Sequence, residues 1–159
     1  MILCSSTGKL CLQLRPGAVA AIHAEIQQKH PVETGGVLLG YYDSRYHVAT
    51  VVVATTPPTD SQHGRTHFVR GMHGLSEILI DARKQTPPIF YLGEWHTHPG
   101  ASPTASSIDV RQMAMFARQH TFGSRSPLLL IVGGSPPDQL QWRATLHRRW
   151  KWPVSLESL

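Results

Sequence analysis

The sequence predicts an α/β domain in which a mixed β-sheet is flanked by helices on both faces. Strand-like and helix-like segments alternate along the chain. Some neighbouring strands are joined by a short turn, as in hairpins, whereas others are separated by a helix, as in parallel crossovers. The length of 159 residues fits one compact domain, which we assign to 1–159. The apolar fraction of 41% is enough for a core, and the charged fraction of 16% argues against disorder.

The first half of the chain predicts a strand, a helix and a hairpin. Val19, Ile22 and Ile26 recur at helical spacing, and Pro31 follows the helix that they indicate. Asp43-Ser44 marks a turn between two valine- or glycine-rich segments. The predicted elements are a strand over 9–14, a helix over 16–28, and hairpin strands over 35–42 and 46–55.

The second half predicts two more helices between strands. A polar loop over 57–65 leads to a short strand over 67–69. The second helix is indicated by Leu75, Ile78, Leu79 and Ala82, and it is followed by a strand over 89–96 and a loop over 99–105. The third helix has a predicted buried face of Val110, Met113, Ala114 and Ala117. The last predicted strands are 126–132 and 140–146, on either side of a turn at 133–138. In the tail, RRWKWPVSLESL, we expect the tryptophans to pack on the core rather than bind a partner.

Charge and cysteine content narrow the class of protein. The net charge of +5 suits anionic partners, but the basic residues are scattered, so we expect no nucleic-acid binding. The N-terminus lacks the basic and long apolar regions of a signal peptide, and no apolar run suggests a membrane span. We therefore expect a cytoplasmic protein, with no membrane partner, in which Cys4 and Cys11 are free thiols.

The strongest candidate for chemistry is the segment Glu94-Trp95-His96-Thr97-His98-Pro99. Histidines at i and i+2 of a strand face the same side, so His96 and His98 can bind one cation. Neutral imidazole suits zinc, and a catalytic zinc site normally has three protein ligands and a water.

Asp109 is the candidate for the third ligand. It would lie on the first turn of the third helix, and the preceding loop is long enough to bring it back to the histidines. Ser106-x-x-Asp109 also matches a capping box, in which the two residues cap the helix. Capping and metal binding are compatible for a first-turn aspartate, so both interpretations remain open.

The complete pattern resembles the JAMM signature of the JAB/MPN+ metalloprotease family. That signature is His96-x-His98-Pro99, six residues, then Ser106-x-x-Asp109, with an upstream Glu33 before the glycine-rich segment TGGVLLG. The resemblance covers about 33–132. The segment YLGEWHTHP looks most like the prokaryotic branch, which is associated with ubiquitin-like conjugation operons, including CBASS-type anti-phage systems.

The resemblance implies a fold, a cofactor and roles for individual residues. It implies the JAB/MPN fold, which is cytidine-deaminase-like, and one zinc ion per chain held by His96, His98 and Asp109. Glu33 would be the general acid/base, and the Ser106 hydroxyl would help hold the oxyanion of the tetrahedral intermediate. Without the resemblance, Glu33 would be interpreted as an ordinary solvent-facing glutamate before a strand.

Other residues near the motif have open roles. Glu94 shares a strand face with both histidines and competes with Glu33 as the base; we prefer support of a ligand or substrate contact for it, and the same for Trp95. Arg65 and Arg70 either hold an acidic or C-terminal segment of the substrate or are plain surface residues. The remaining histidines, His63, His67 and His73, are interpreted as loop residues, because no spacing supports a second metal. A position beside the substrate channel is left open for them, and His67 is a candidate for substrate contact.

Three functions follow from these patterns. The favoured one is a zinc metallopeptidase, a deubiquitinase-like isopeptidase that cuts after the C-terminal tail of a ubiquitin-like protein or of its conjugate. E1-like and E2-like operon partners would accompany it. The alternatives are a metal-free MPN-type scaffold, against which the intact ligand set argues, and a small-molecule zinc amidohydrolase.

Overall fold

A computed structural model describes residues 1–158. The helices are α1 (Pro16–Lys29), α2 (Leu75–Arg83) and α3 (Ser107–Gln119). The strands are β1 (Ile2–Cys4), β2 (Cys11–Leu14), β3 (Gly35–Tyr42), β4 (Val48–Ala54), β5 (Gln62–His63), β6 (Phe68–Val69), β7 (Phe90–Pro99), β8 (Leu128–Gly134), β9 (Gln141–Leu146) and β10 (Val154–Leu156). The predicted elements are present with small shifts at their ends. Three short strands were not predicted: β1, β10, and β5 within the predicted polar loop.

Eight of the strands form one mixed sheet in the order β1-β2-β4-β3-β7-β8-β9-β10. The pairs β2–β4 and β7–β8 are parallel and the other neighbours are antiparallel. The parallel pair β7–β8 is joined through α3, as expected for strands that need a crossover. The predicted hairpin is the antiparallel pair β3–β4, so the mixed α/β class is confirmed.

The two ends of this sheet meet, which closes it around one core. The Cys4 amide donates to the Glu157 carbonyl oxygen at 2.8 Å, and the Glu157 amide donates to the Cys4 carbonyl oxygen at 2.9 Å. Inside the curved sheet, Ile22 and Ile26 of α1 pack among buried side chains of the strands. Because an edge strand offers unpaired backbone groups, this contact also protects both edges near their junction.

The other face of the sheet carries α2 and α3, so helices on both faces are confirmed. Leu75 and Ala82 of α2 pack in a cluster with residues of β3 and β7. Met113 and Phe116 of α3 pack on Leu129 and Ile131 of β8. The face predicted for the third helix was partly wrong, because only its second and third turns lie on the sheet.

Within that helix, Val110 is 36% exposed, and Ala114 is only partly buried. Phe116, which the predicted face omitted, takes a buried place beside Met113 and Ala117. The first turn of α3 therefore projects past the core, toward the end of β7 that carries the histidine motif.

The prediction that both cysteines are free was wrong. Cys4 and Cys11 are direct partners in the β1–β2 ladder, with Cα atoms 4.1 Å apart, and they form a disulfide. The spacing in sequence alone did not reveal this pairing, because it depends on the register of the hairpin.

No helix among residues 1–158 is both long and apolar enough to cross a membrane.

The prediction that the tail tryptophans pack on the core was also wrong. Trp150 is 75% exposed and Trp152 is 91% exposed. The tail is held instead by β10, which pairs with β9, and by the buried side chain of Leu156. Backbone pairing thus replaces the aromatic anchoring that we expected.

A bulge in the β3–β7 ladder sets the orientation of β7. Leu38 pairs with Gly93, but Leu39 pairs with Tyr91, so one residue of β7 is unpaired. Gly93 is required at this point, because a Cβ there would lie 1.9 Å from the Leu128 carbonyl oxygen. The bulge reverses the alternation of side chains and brings Tyr91 and Glu94 onto one face.

The buried side chain of His147 should make the stability of the fold depend on pH. Its ring is buried and its Nε2 lies 2.8 Å from the Thr145 hydroxyl. Burial lowers the pKa of His147 to about 4, whereas an unfolded chain has a histidine pKa of about 6.5. The unfolded state therefore binds the proton more readily, and stability is lost as the pH falls from about 6.5 toward about 4.

Replacing His147 with glutamine should flatten this dependence, since glutamine can still accept from Thr145. We expect the fall in the free energy of unfolding between about pH 7.5 and about pH 5.5 to be roughly 1 to 2 kcal/mol smaller in H147Q than in the wild type. Urea unfolding followed by circular dichroism measures it. Equal falls in the two proteins would show that His147 does not carry this dependence.

Candidate metal centre

The alternation of β7 separates the two histidines from the core. Trp95 and Thr97 face inward and are buried, whereas His96 and His98 face the side that carries α3. The two Nε2 atoms lie 3.1 Å apart. The predicted arrangement of two imidazoles on one strand face is therefore present.

Asp109 reaches the histidines from the first turn of α3. Its Oδ1 lies 3.7 Å from His96 Nε2, and its Oδ2 lies 4.0 Å from His98 Nε2. The capping box is also formed: the Ser106 amide donates to Asp109 Oδ2 at 2.7 Å, and the Asp109 amide donates to Ser106 Oγ at 3.2 Å. The cap uses Oδ2 and leaves Oδ1 available, so capping and ligation are compatible here.

These three side chains fit a zinc ion. Within residues 1–158 they are the one group of three histidine, cysteine or acidic side chains whose donor atoms all lie within 4.8 Å of one another. Tetrahedral bonds of about 2.0–2.1 Å to one ion would place donors roughly 3.3 Å apart. The two imidazole nitrogens, 3.1 Å apart, are near this separation, and the carboxylate oxygens, at 3.7 and 4.0 Å, would move inward by less than about 1 Å to bind the same ion. Two imidazole nitrogens and a carboxylate are also a donor set of catalytic zinc sites.

The environment of each imidazole suits metal binding. Burial, opposed by Asp109 and reinforced by His98, lowers the pKa of His96 to about 4, so the ring is neutral near pH 7. The Nδ1 of His98 lies 3.3 Å from the Ser102 carbonyl oxygen. An Nδ1–H that donates to this carbonyl leaves Nε2 with its lone pair directed at the cluster.

Glu33 lies immediately before β3, beside this cluster, and is only 9% exposed. Its amide donates to the Gly64 carbonyl oxygen at 2.7 Å, and its carbonyl oxygen lies 2.9 Å from His63 Nδ1. Burial raises the pKa of the Glu33 carboxyl; His98 lowers it, Asp109 raises it and His67 lowers it. A buried carboxyl with a raised pKa, close to a metal-binding cluster, suits proton transfer.

Two threonines that the sequence analysis did not single out join Glu33 to the histidine strand. The Thr97 amide donates to the Thr34 carbonyl oxygen at 2.9 Å, and the Thr34 amide donates to Thr97 Oγ1 at 3.0 Å. The Thr34 hydroxyl donates to Glu25 of α1 at 2.8 Å, on the core side. The inward face of Thr97 in the HxH motif was readable, but its partner required the strand register.

Glu94 is engaged in a different network from the one that surrounds Glu33. Arg70 donates to Glu94 through Nε at 2.6 Å and Nη2 at 3.1 Å, and the Tyr91 hydroxyl donates to Glu94 at 2.7 Å. The side chains of Arg70 and Glu94 are 10% and 11% exposed. Arg70 also lies over the ring of Phe122. The Glu94 carboxylate is therefore held by three donors.

The other predicted residues are spread around the cluster. Trp95 points into the core and donates to the Thr55 carbonyl oxygen at 3.0 Å, so its ring is away from the cluster face. Arg65 is exposed and forms no ion pair within the described residues. His67 is exposed near Glu33, whereas His73 lies apart, where its amide donates to Asp60.

A groove of about 170 Å³ lies beside the cluster, between β6 and α3. Phe68, Val69 and Ile108 supply apolar lining, and Arg70 with Glu94 supplies the charged part. His96 and Asp109 are also among the residues that line the groove. An extended chain lying in it would pass next to the candidate metal centre.

The fold and this cluster define a JAB-type domain, and the comparison with family models agrees. Residues 16–145 match the family described as prokaryotic homologs of the JAB domain, and the chain belongs to that family. A relative from Enterobacter hormaechei, named CD-NTase/cGAS isopeptidase, is 40% identical over 127 residues, which cover 80% of this chain and 69% of the relative. A probable metalloprotease, y4qB, from Sinorhizobium fredii is 29% identical over 135 residues and covers 82% of each chain.

These names support a hydrolase of the isopeptidase or metalloprotease type. The fold is also that of a protein from Desulfitobacterium hafniense, DSY2949, whose solution structure superposes with a TM-score of 0.64. The match covers 93% of this chain and 91% of that protein at 20% identity, so it bears on the fold alone.

The Arg70–Glu94 pair predicts a large asymmetry between single and double substitutions. R70M leaves a buried carboxylate without its cation and should lower the free energy of unfolding by about 3 kcal/mol. Adding E94Q removes that charge, so R70M/E94Q should be more stable than R70M. Urea unfolding of the metal-free chain measures both.

The exposed pair Lys84–Asp81 provides the matched control. K84M should change the free energy of unfolding by no more than about 0.5 kcal/mol. If R70M lowered the free energy of unfolding by no more than K84M does, the buried Arg70–Glu94 pair would not stabilise the fold as predicted.

Proposed function

We propose that this protein is a zinc-dependent isopeptidase. Its substrate would be a ubiquitin-like protein or a conjugate of that protein with a target protein, and it would hydrolyse the bond after the C-terminal tail. The observation that carries the proposal is the convergence of His96, His98 and Asp109 next to the buried Glu33. The first three side chains would hold one zinc ion per chain. The fourth would transfer the proton.

A zinc ion in this position supplies a Lewis acid and lowers the pKa of a water molecule toward about 7. Glu33 accepts a proton from the attacking water and later donates it to the leaving amine. Burial keeps this carboxyl poised for both transfers, because it raises the pKa above that of an exposed glutamate. The Ser106 hydroxyl accepts from the Asp109 amide, so its own hydrogen remains free to donate to the developing oxyanion.

Glu94 has a supporting role in this proposal. Its oxygens already accept from Arg70 and Tyr91, so they are poorly placed to take a proton from water. The network holds the β6 side of the groove against β7. Arg70 thus contacts Glu94 rather than the substrate, while Arg65 and His67 are exposed and would be accessible to a substrate segment.

The substrate class is supported by the relatives and by the groove. The Enterobacter relative is named as an isopeptidase of CD-NTase/cGAS, which is consistent with a protein conjugate as substrate and with an anti-phage operon that encodes E1-like and E2-like enzymes. An extended segment of such a substrate would lie along the groove beside the cluster. We propose that the enzyme acts in the cytoplasm, where such conjugation takes place.

Substitution of each glutamate by glutamine distinguishes their roles. E33Q should retain zinc but lower kcat by a factor on the order of 100 or more, because the general acid/base is lost. E94Q should cost less, or act by weakening zinc binding. The measurements are zinc content by elemental analysis and cleavage of ubiquitin-like fusion proteins.

Short peptides with the same terminal residues are the control substrates, since a small-molecule amidohydrolase would prefer them. A nearly active E33Q together with an inactive, zinc-loaded E94Q would reverse the assignment of the base. A wild-type chain that binds no zinc would favour the scaffold function instead.

Removal of the metal should abolish activity but preserve the fold. The largest core cluster lies on the opposite side of the sheet and includes neither histidine nor Asp109. A chelator should therefore leave the far-UV circular dichroism spectrum nearly unchanged at 25 °C, while the unfolding temperature falls through the loss of bound ligand. Collapse of the spectrum on chelation would mean that the metal is structural.

A further inference from the structure

The C-terminal tail and the end of α3 form a basic and aromatic surface that the proposed chemistry does not use. We call it the α3–tail patch, and it consists of Arg118, Arg148, Arg149, Trp150, Lys151 and Trp152. Most of its side chains are exposed, including the two most exposed tryptophans described above. The tail part follows the residues matched by the family model, which end at 145. The tail part of the patch thus lies outside the residues that the family model matches.

The cations of the patch lack acidic partners. Within residues 1–158, none of its arginines or its lysine forms an ion pair. A groove of about 260 Å³ separates α3 from the tail, and no acidic side chain among the described residues lines it. The Nε of Arg148 is buried there with no hydrogen-bond partner in that part of the chain.

Two of the guanidinium groups are already oriented. Arg118 lies 5.8 Å and Arg149 lies 5.6 Å from the centroid of the Trp150 ring. Contact with the indole at these distances restricts the rotamers of both arginines and leaves their N–H edges free. Planar N–H edges of this kind match carboxylates, which they can bind with two hydrogen bonds.

We propose that the α3–tail patch is a docking site for an acidic segment of a partner protein, whose carboxylates bind the arginines and whose apolar side chain packs on Trp152. Charge complementarity favours an anionic occupant. Single-stranded nucleic acid would need several free aromatic faces for its bases, but Trp150 is occupied by two guanidinium groups. A bilayer would need a wider apolar face than one free indole.

The patch is connected to the candidate metal centre through α3. Asp109 is on its first turn and Arg118 on its last, a rise of about 14 Å at 1.5 Å per residue. A protein bound at the patch would therefore be held about one small-domain radius from the bond to be cut. This placing of a substrate rests on the proposed function, whereas the binding of an acidic segment does not.

Fluorescence anisotropy with a labelled peptide of repeating Asp-Asp-Leu units tests the proposal on the full, zinc-loaded chain. The patch variant is R118Q/R149Q/K151Q/W152A, in which every changed side chain is exposed. Loss of several exposed ion pairs and one apolar contact should together weaken binding by about tenfold or more. The control variant, K9Q/R45Q/R83Q, removes the same number of charges from exposed positions elsewhere and should weaken binding by less than about twofold.

The same two variants are compared on phosphatidylserine vesicles and on oligothymidine. Loss of peptide binding in the patch variant alone, with weaker and patch-independent binding of the other two probes, supports the proposal. Equal loss in both variants would mean that the peptide senses net charge only, and this would overturn it. Patch-dependent binding of vesicles or oligothymidine that is as tight as that of the peptide would overturn it too.

W152A alone keeps the test decisive if the multiple variant does not fold. Its indole is almost fully exposed, so the fold should be unaffected, and peptide binding should still weaken measurably. Unchanged peptide binding by folded W152A would contradict the apolar part of the site. Because no cleavage is measured, failure of the isopeptidase assignment would not alter these results.

Discussion

The antiparallel pairing of β3 with β7 is the constraint on which the candidate centre depends. Thr34 and Thr97 extend this ladder by two hydrogen bonds beyond its regular part, which places Glu33 beside the histidines. The approach is close: a Cβ on Gly35 would lie 2.2 Å from the Trp95 carbonyl oxygen. A shift of the pairing by one residue would turn the histidines into the core and remove Glu33 from their side.

The bulge in the same ladder gives Glu33 and Glu94 different hydrogen-bond surroundings. It brings Tyr91 to the face of Glu94, where the tyrosine hydroxyl and Arg70 occupy both carboxylate oxygens. Glu33 has no such side-chain partners among the hydrogen bonds of residues 1–158, and burial raises its pKa. Position along the chain favours Glu94 as a base, but the hydrogen bonds favour Glu33.

The sequence predicted most of the fold and the ligand cluster because these depend on local periodicity. The i and i+2 spacing of His96 and His98 is a property of any strand, and the Ser106–Asp109 cap is a property of any helix start. The features that the sequence did not predict depend on pairings between distant segments. The Cys4–Cys11 disulfide and the exposure of Trp152 follow from how β1 and β10 join the sheet, which no local pattern encodes.

The location of the metal tests the central claim most directly. Crystals of the zinc-loaded protein, measured at wavelengths on either side of the zinc absorption edge, give an anomalous difference map of the ion itself. The proposed centre requires one peak per chain, within bonding distance of His96 Nε2, His98 Nε2 and an Asp109 carboxylate oxygen, with the Glu33 carboxylate facing it but not bound. A peak elsewhere, or a peak with any of the three side chains turned away from it, would contradict the account.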